Sequence, residues 1–537
     1  MRRALRHAVL ALCALAAPAS ASGTADGTYA VVIQWRPYSP WQHLAFRVQG
    51  DGGTVYLNGR EPKLSVTRIG DSLDLRWQSR TGAVGDFHGD IADDDGATAI
   101  AGTFTQGPLS APFQALRLAD VPPATVAARD GIYAVSKDRA ILIARSSEAG
   151  DAQTYFDSGT RRTGVLYPVS RDRAGGGPTL GALLPVTARF DFPPPTVAYD
   201  AVTVRFGDEP SVLGVRSIRV RSEDLTFRNG DVTLRGTLMI PSTAGPHPAI
   251  VMIHGAGPAH RPLGLYPYGF LQLGFAVLAF DKRGAGESTG DYRTASFPDL
   301  AGDVIAGIDA IKQNPAIDPH RIGLFASSNG GWVAPVVATR SRDVAFVICR
   351  VCSMLTVAQN QAYERESIAR NAGLSDADVT HVVALRNAFT RAVVDNAGWD
   401  ALRAQIAEAN DADWLRTTGV PPGNALPLEP TVRAATAAQL AFDPAPYWKR
   451  VNVPTLFLFA ENDGYVKTSV SAPRATQYLS EAGNRDVSVA VLKHADHAFL
   501  ESDSGLDLEE QRASRFAAGF TETLARWTQA HHLATAH

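Results

Sequence analysis

Along residues 218–537 the apolar positions gather into near-continuous runs. PAIVMIHGAG, GFAVLAFDKRGAG, RIGLFASSNG, VAFVICRVCS, TLFLFAENDG and VSVAVLKHAD each close on polar or glycine-rich residues. Between most of them lie stretches with helical spacing, such as FPDLAGDVIAGIDAIKQN. Buried strands alternating with helices predict a parallel sheet covered on both faces, with functional residues just beyond the carboxyl ends of its strands. LTFRNGDVTLRGTLMIPS, ahead of these runs, reads as two strands around an Asn-Gly turn. In 356–446 the alternation stops and helix-forming, alanine- and charge-rich segments take over, among them AYERESIARNAG and WDALRAQIAEAND. A helical insertion between two sheet strands predicts a cap over the carboxyl edge that shapes a pocket and excludes water.

The pattern before residue 218 is different. Residues 27–120 carry short alternating runs (TYAVVIQW, HLAFRVQ, SLDLRWQ) punctuated by glycine and aspartate, which predicts an antiparallel sheet or small barrel. A proline-containing linker, ADVPPATVAARD, leads to a second β-rich unit over 130–217. Neither unit holds a cluster of catalytic residue types, so scaffold or substrate-side wall is the expectation for both. Residues 1–21 combine a basic start (MRRALRH), a short apolar core (AVLALCALAA) and a small-residue end, with Ala19 and Ala21 suited to the −3 and −1 cleavage positions. That order is the pattern of a cleaved secretory signal, and it predicts an exported, periplasmic or secreted protein. Leu12 before Cys13 is not the small residue that lipoprotein processing wants. The apolar core is too short for a mature membrane helix, and no integral membrane segment is expected in the mature chain.

A formal net charge of −3 gives no electrostatic case for nucleic acid or an anionic membrane. With the signal removed, Cys349 and Cys352 remain. VAFVICRVCSM reads as a buried strand, and residues three apart on a strand point to opposite faces, against a disulfide. Two small core residues are the expectation, although a C-x-x-C pair in an exported protein also permits oxidation.

The chemistry centres on LFASSNGGWV, residues 324–333, where an apolar strand meets a helix-compatible segment. A nucleophile on so sharp a turn needs small residues two before and two after it. Around Ser327 those positions hold Phe325 and Asn329; around Ser328 they hold Ala326 and Gly330. Ser328 is therefore the candidate nucleophile. A serine hydroxyl needs a base, and the base is best held by a carboxylate. Asp463, just past the strand TLFLFA, is the candidate acid, with Glu461 its competitor; His497, beyond the strand VSVAVL, is the candidate base, preferred over His494. The order Ser, Asp, His, each beyond a successive strand, is the one expected for α/β-hydrolases. Backbone N–H groups of Ala256, in the glycine-rich turn after IVMI, and of Asn329 are the candidate donors to a developing oxyanion. His254 reads as a structural loop residue, and DKRGAGES, which lacks phosphate-loop spacing, as a turn supported by charge pairs.

HGAGP, FDKRGAGESTGD, IDPHRIGLFASSNGGW, AENDGYV and HADHAF together resemble the α/β-hydrolase superfamily over about three-fifths of the chain. More narrowly they are similar to exported bacterial hydrolases of the serine aminopeptidase-like and dienelactone hydrolase-like group, several of which are esterases with a β-rich N-terminal region. Ala326 and Asn329 depart from the glycine and the Gln or Glu usual in these relatives. The resemblance implies an α/β fold of the α/β-hydrolase type with a helical cap, preceded by one or two small antiparallel β units. It implies acyl transfer: Ser328 attacks an ester carbonyl, His497 moves the proton, Asp463 orients the imidazole, and no metal or cofactor takes part. The expected partner is a small-molecule acyl ester. Two other readings stay open at this point. The same machinery serves a peptidase or amidase of the serine aminopeptidase or prolyl-oligopeptidase type. Alternatively the β units bind an envelope polymer, in which case Trp35, Trp41 and Trp77 would form an accessible aromatic row and the hydrolase domain would be secondary.

Overall fold

In the computed structural model, residues 26–534 are described apart from 35–41, 57–62, 70–71, 79–83, 95–96, 108, 194–198, 262, 410–411, 422 and 506. The signal-like segment 1–21, with Ala19 and Ala21, lies outside the described residues, as do Trp35 and Trp41.

Strand pairing sorts the chain into two closed barrels and one open sheet. Eight antiparallel strands from Gly27–Ile33 to Leu109–Leu118 form the first barrel, closed by pairing of Thr28 with Leu118. Period-2 alternation sends Tyr29, Val31 and Ile33 inward onto Phe46, Phe87 and Phe113. The intervening Val32 faces outward and packs with Leu116, Val165 and Tyr167, so the first barrel is seated against the second. After a short helix, Pro123–Ala127, the second barrel runs from Gly131–Ser136 to Val212–Ile218 and closes by pairing Val215 with Ala134. Its interior holds Tyr133, Ile141, Tyr155, Phe190 and Phe206.

The sheet has eight strands: β1 Val220–Asn229, β2 Val232–Pro241, β3 His247–Ile253, β4 Ala276–Phe280, β5 Ile317–Ser327, β6 Val344–Arg350, β7 Thr455–Ala460 and β8 Val487–Leu492. Their order is β1-β2-β4-β3-β5-β6-β7-β8. The β1–β2 hairpin turns at Gly230, whose φ of 58° a glycine adopts without strain, and from β4 to β8 all pairs are parallel. Successive residues of β3 serve opposite cores: Val251 and Ile253 on one face, Ile250 and Met252 on the other. The longer helices of this region are α1 Leu265–Gln272, α2 Phe297–Ile311, α3 Gly330–Arg340, α4 Val357–Asn371, α5 Asp376–Asp395, α6 Trp399–Ala409, α7 Pro430–Leu440, α8 Thr468–Glu481 and α9 Phe520–Ala530. α2, α3 and α8 cover one face, through Val304, Val337 and Leu479; α1 and α9 cover the other, through Phe270 and Trp527. α2 starts where Ser296 and Asp299 exchange hydrogen bonds as a capping box. No helix among the described residues is long and apolar enough to cross a membrane.

Helices α4 to α7 fall between β6 and β7. Of these, α4 reaches loops at the carboxyl ends of the strands: Tyr363 Oη donates to Asp463 O at 2.7 Å, and Asn360 Nδ2 to Tyr465 O at 3.1 Å.

The cysteine geometry corrects the expectation from strand alternation. β6 ends at Arg350, Val351 turns the chain with φ 47°, and Cys352 lies beyond the strand. Both thiols are buried and free, and they enter the same core cluster. Burial, followed by the hydrogen bond from Cys352, pushes the Cys349 thiol well above its usual range.

The second barrel rests on the loops of this region. Gly264 N donates to Arg145 O at 3.0 Å, and Thr163 N to Ser514 O at 2.9 Å. Arg161 Nη1 donates to Glu501 Oε1 at 2.6 Å and to Phe516 O at 2.7 Å.

Candidate active site

β5 delivers the serine pair to the carboxyl edge of the sheet. Ser328 is held with φ 53°, the left-handed region that a non-glycine residue rarely occupies. Ser328 N donates to Arg350 O at 3.0 Å, and Gly331 N returns to Ser328 O at 2.8 Å, which turns the strand abruptly into α3. The turn tolerates no bulk: a Cβ on Gly331 would stand 2.4 Å from Cys352 Cβ, and one on Gly330 2.8 Å from Ile253 O. This is the crowding that the small-neighbour rule anticipates.

His497 and Asp463 converge on this turn. Ser328 Oγ lies 3.2 Å from His497 Nε2, while His497 Nδ1 lies 2.9 Å from both carboxylate oxygens of Asp463. The Asp463 side chain is fully buried, and its Oδ1 accepts from Tyr465 N and Val466 N, each at 2.8 Å. Those donors fix the carboxylate, which in turn fixes the imidazole with Nδ1–H toward Asp463 and Nε2 open to the serine proton. The competing residues are elsewhere: Glu461 pairs with Lys493 at 2.6 Å, and His494 with Asp503 at 2.6 Å, on exposed surface. Lys493 first, then the His494 N–H, holds the Glu461 carboxyl below its usual range.

The glycine-rich turn after β3 passes beside the nucleophile, close enough that a Cβ on Gly255 would stand 3.6 Å from Ser328 Cβ. Ala256 follows Gly255 in this turn, and α3 begins directly after Asn329. His254 Nε2 donates to Phe280 O at 2.5 Å, and its ring packs edge-on against Phe280. Burial, then the nearby Lys282, lowers its pKa to about 4, which leaves a neutral structural imidazole. In the DKRG turn Asp281 accepts from Arg261 N and Nε, and Arg283 pairs with Asp303 at 2.6 Å.

A cavity of about 320 Å³ opens next to Gly255 and Asn329. Its apolar wall includes Phe280, Phe297, Leu300 and Val333, and α7 contributes Val432 and Gln439. Lys282 is its buried cation. Asp303 also lines it, but both oxygens of that carboxylate are taken, by Arg283 and by Asn229.

Two residues that sequence reasoning did not single out stand in this site. Arg350, at the end of β6, donates from Nη1 to Ser327 Oγ and from Nη2 to His497 O, each at 2.7 Å. The available signal was a charge inside an otherwise apolar run. Lys282 donates to Gly255 O at 2.7 Å and to Gly257 O at 3.0 Å. It was visible only as one of several charges in the DKRG turn.

Residues 244–504 match the family model described as serine aminopeptidase, S33. An uncharacterised 31.7 kDa protein of Escherichia coli is 35% identical over 108 residues, which is 20% of this chain and 37% of that protein. Esterase EstD of Thermotoga maritima is 27% identical over 128 residues, covering 22% and 31% of the two chains. The chain thus spans about two-fifths or less of the length of the curated relatives it matches. Among solved structures, the Pyrococcus furiosus esterase PF2001 aligns over 58% of this chain and 91% of its own at 15% identity, with a TM-score of 0.37. The protein PA2218 of Pseudomonas aeruginosa aligns over 58% and 94% at 19% identity, with a TM-score of 0.36. Residues 244–504 of this chain are thus similar to the serine aminopeptidase family of hydrolases, and a β-rich N-terminal region precedes them.

Proposed function

We propose that the protein is an exported serine hydrolase that cleaves carboxylic esters through an acyl-enzyme on Ser328. One observation carries this reading: the hydrogen-bonded line from Ser328 Oγ through His497 to the buried carboxylate of Asp463. Ser328 Oγ attacks the ester carbonyl while His497 Nε2 takes its proton, and the imidazolium that forms is stabilised by Asp463. The carbonyl oxygen becomes an oxyanion facing the N–H groups of Ala256 and Asn329. When the tetrahedral intermediate collapses, the C–O bond to the alcohol breaks and His497 returns the proton to the departing oxygen. A water then attacks the acyl carbonyl, again losing its proton to His497, and the acid leaves as Ser328 recovers its hydrogen.

The family description raises the aminopeptidase alternative, which requires a carboxylate to bind a substrate ammonium. In the cavity Asp303 is already spent on Arg283 and Asn229, while Lys282 presents positive charge that repels an ammonium. Both features favour a neutral ester, and the likeness to an esterase agrees with them. The cavity volume suits a small or medium acyl group. In this reading helices α4 to α7 are the cap that excludes water from the acyl-enzyme, the β units are scaffold, and the N-terminal residues 1–21 direct export.

A panel of p-nitrophenyl acyl esters and aminoacyl anilides, assayed with wild type and Ser328→Ala, tests the proposal. Ester turnover that exceeds anilide turnover and disappears in Ser328→Ala is the expected result. Faster anilide turnover overturns the ester assignment, and full activity in Ser328→Ala overturns the nucleophile.

A further inference from the structure

Lys282 is a buried cation with no anionic partner among the described residues. Arg261 engages Asp281 and Arg283 engages Asp303, and among the described residues no carboxylate pairs with the ammonium. Burial lowers its pKa to about 8. Removing an ammonium from water without a counter-ion forfeits hydration that other contacts must offset. The contacts of Nζ show where that cost is offset. It donates to Gly255 O at 2.7 Å and to Gly257 O at 3.0 Å, the carbonyls on either side of Ala256.

The two bonds act differently. Gly255 C=O and Ala256 N–H belong to one planar peptide unit, so they point in opposite directions. An ammonium on the Gly255 oxygen therefore aims the Ala256 N–H away from Lys282. It also withdraws electron density from that amide, which makes its N–H a stronger donor, because hydrogen bonds in series polarise one another. The second bond, to Gly257 O, holds the far side of the turn, where Gly257 has φ 72°. Lys282 itself is held at the end of β4, next to Asp281, whose carboxylate accepts four donors: Arg261 N, Nε and Nη2, and Glu287 N.

From this juxtaposition we infer that Lys282 is the positioning residue of the oxyanion site, orienting and polarising the Ala256 N–H through the carbonyls of Gly255 and Gly257. The inference rests on the ester-hydrolase reading above. It assigns Lys282 no contact with the substrate: its charge reaches the transition state through one peptide unit. The effect should appear in kcat, because the oxyanion exists only after attack.

The test compares wild type, Ser328→Ala, Lys282→Met, Lys282→Gln and Lys282→Arg on p-nitrophenyl acetate. A trifluoromethyl ketone, whose adduct with a serine carries the oxyanion, serves as the transition-state analogue. The first comparison checks the underlying reading: absence of Ser328-dependent turnover in wild type removes the ester-hydrolase proposal and this inference with it. Given that turnover, Lys282→Met is expected to lower kcat about 10- to 100-fold, a fraction of the loss caused by removing an oxyanion donor outright. KM should stay within about threefold, and affinity for the ketone should fall in parallel with kcat/KM. Lys282→Arg, which keeps charge and donors, should recover most of the loss, and Lys282→Gln should fall between. A KM-dominated loss would make Lys282 a substrate contact and overturn the inference. Equal ketone affinity in wild type and Lys282→Gln would also overturn it, and that comparison holds if Lys282→Met fails to fold.

Discussion

Arg350 donates to the backbone carbonyl of His497 at 2.7 Å, which ties the end of β6 to the loop that carries the candidate base. Its other terminal nitrogen holds Ser327, the neighbour of Ser328. The guanidinium lies between the rings of Tyr266 and Phe499, at 5.1 and 4.8 Å, so aromatic faces flank a charge bound to neutral oxygens. One side chain thus bridges the residue next to Ser328 and the backbone of His497. Arg350→Met is expected to lower kcat on p-nitrophenyl acetate about 10- to 100-fold, the cost of a misplaced catalytic pair. KM should change little. A loss confined to KM contradicts this role.

Asp463 and Glu461 are separated by geometry. Asp463→Asn keeps the shape but leaves His497 Nδ1 facing an amide, which favours the wrong tautomer, and a loss of about 10³- to 10⁴-fold in kcat is expected. Glu461→Gln removes an exposed pairing with Lys493 and should leave turnover within about twofold of wild type, since such pairs contribute little. The reverse ranking would show that the wrong carboxylate has been chosen.

The second barrel braces the histidine loop through Arg161, whose partners are Glu501 and the carbonyl of Phe516. The ion pair is partly exposed, so Arg161→Ala should cost about 1 kcal/mol or less of stability. Turnover is expected to fall about 3- to 10-fold as the loop loses its tether. Hydrogen exchange should rise within 494–502. Unchanged exchange there, with unchanged turnover, would leave the barrel no part in ordering the site.

His254 gives a pH signature. Its folded pKa, lowered to about 4, is below the ordinary 6.5 of an unfolded histidine. Between these values the unfolded chain binds a proton that the folded chain does not, so stability falls as pH falls. The contribution of the neutral imidazole is complete above pH 6.5 and is lost toward pH 4. Thermal melts over that window should show a shallower acid slope for His254→Gln than for wild type. Parallel slopes would contradict a histidine held neutral.

Much of this was legible in the chain because it is local. Buried parallel strands write continuous apolar runs, and steric crowding at a strand-to-helix turn separated Ser328 from Ser327. The meeting of Ser328, Asp463 and His497 followed from their strand-end positions. For residues 27–120 the pattern left sheet and barrel both open, since the pairing of Thr28 with Leu118 that closes the barrel joins opposite ends of the unit and leaves no local signature. The cysteine geometry failed for a different reason: the apolar run continues past Arg350, but the strand does not. Lys282 and Arg350 escaped notice because their partners are backbone carbonyls and a hydroxyl, which no charge pattern announces.

The central claim is that Ser328 becomes acylated, and covalent labelling tests it most directly. A fluorophosphonate reacts only with an activated serine, and both candidates lie in the tryptic peptide 322–340, so fragment ions must locate the adduct. Modification is expected at Ser328, undiminished in Ser327→Ala and absent in Ser328→Ala and His497→Ala. An adduct on Ser327, or labelling that survives Ser328→Ala, would contradict it.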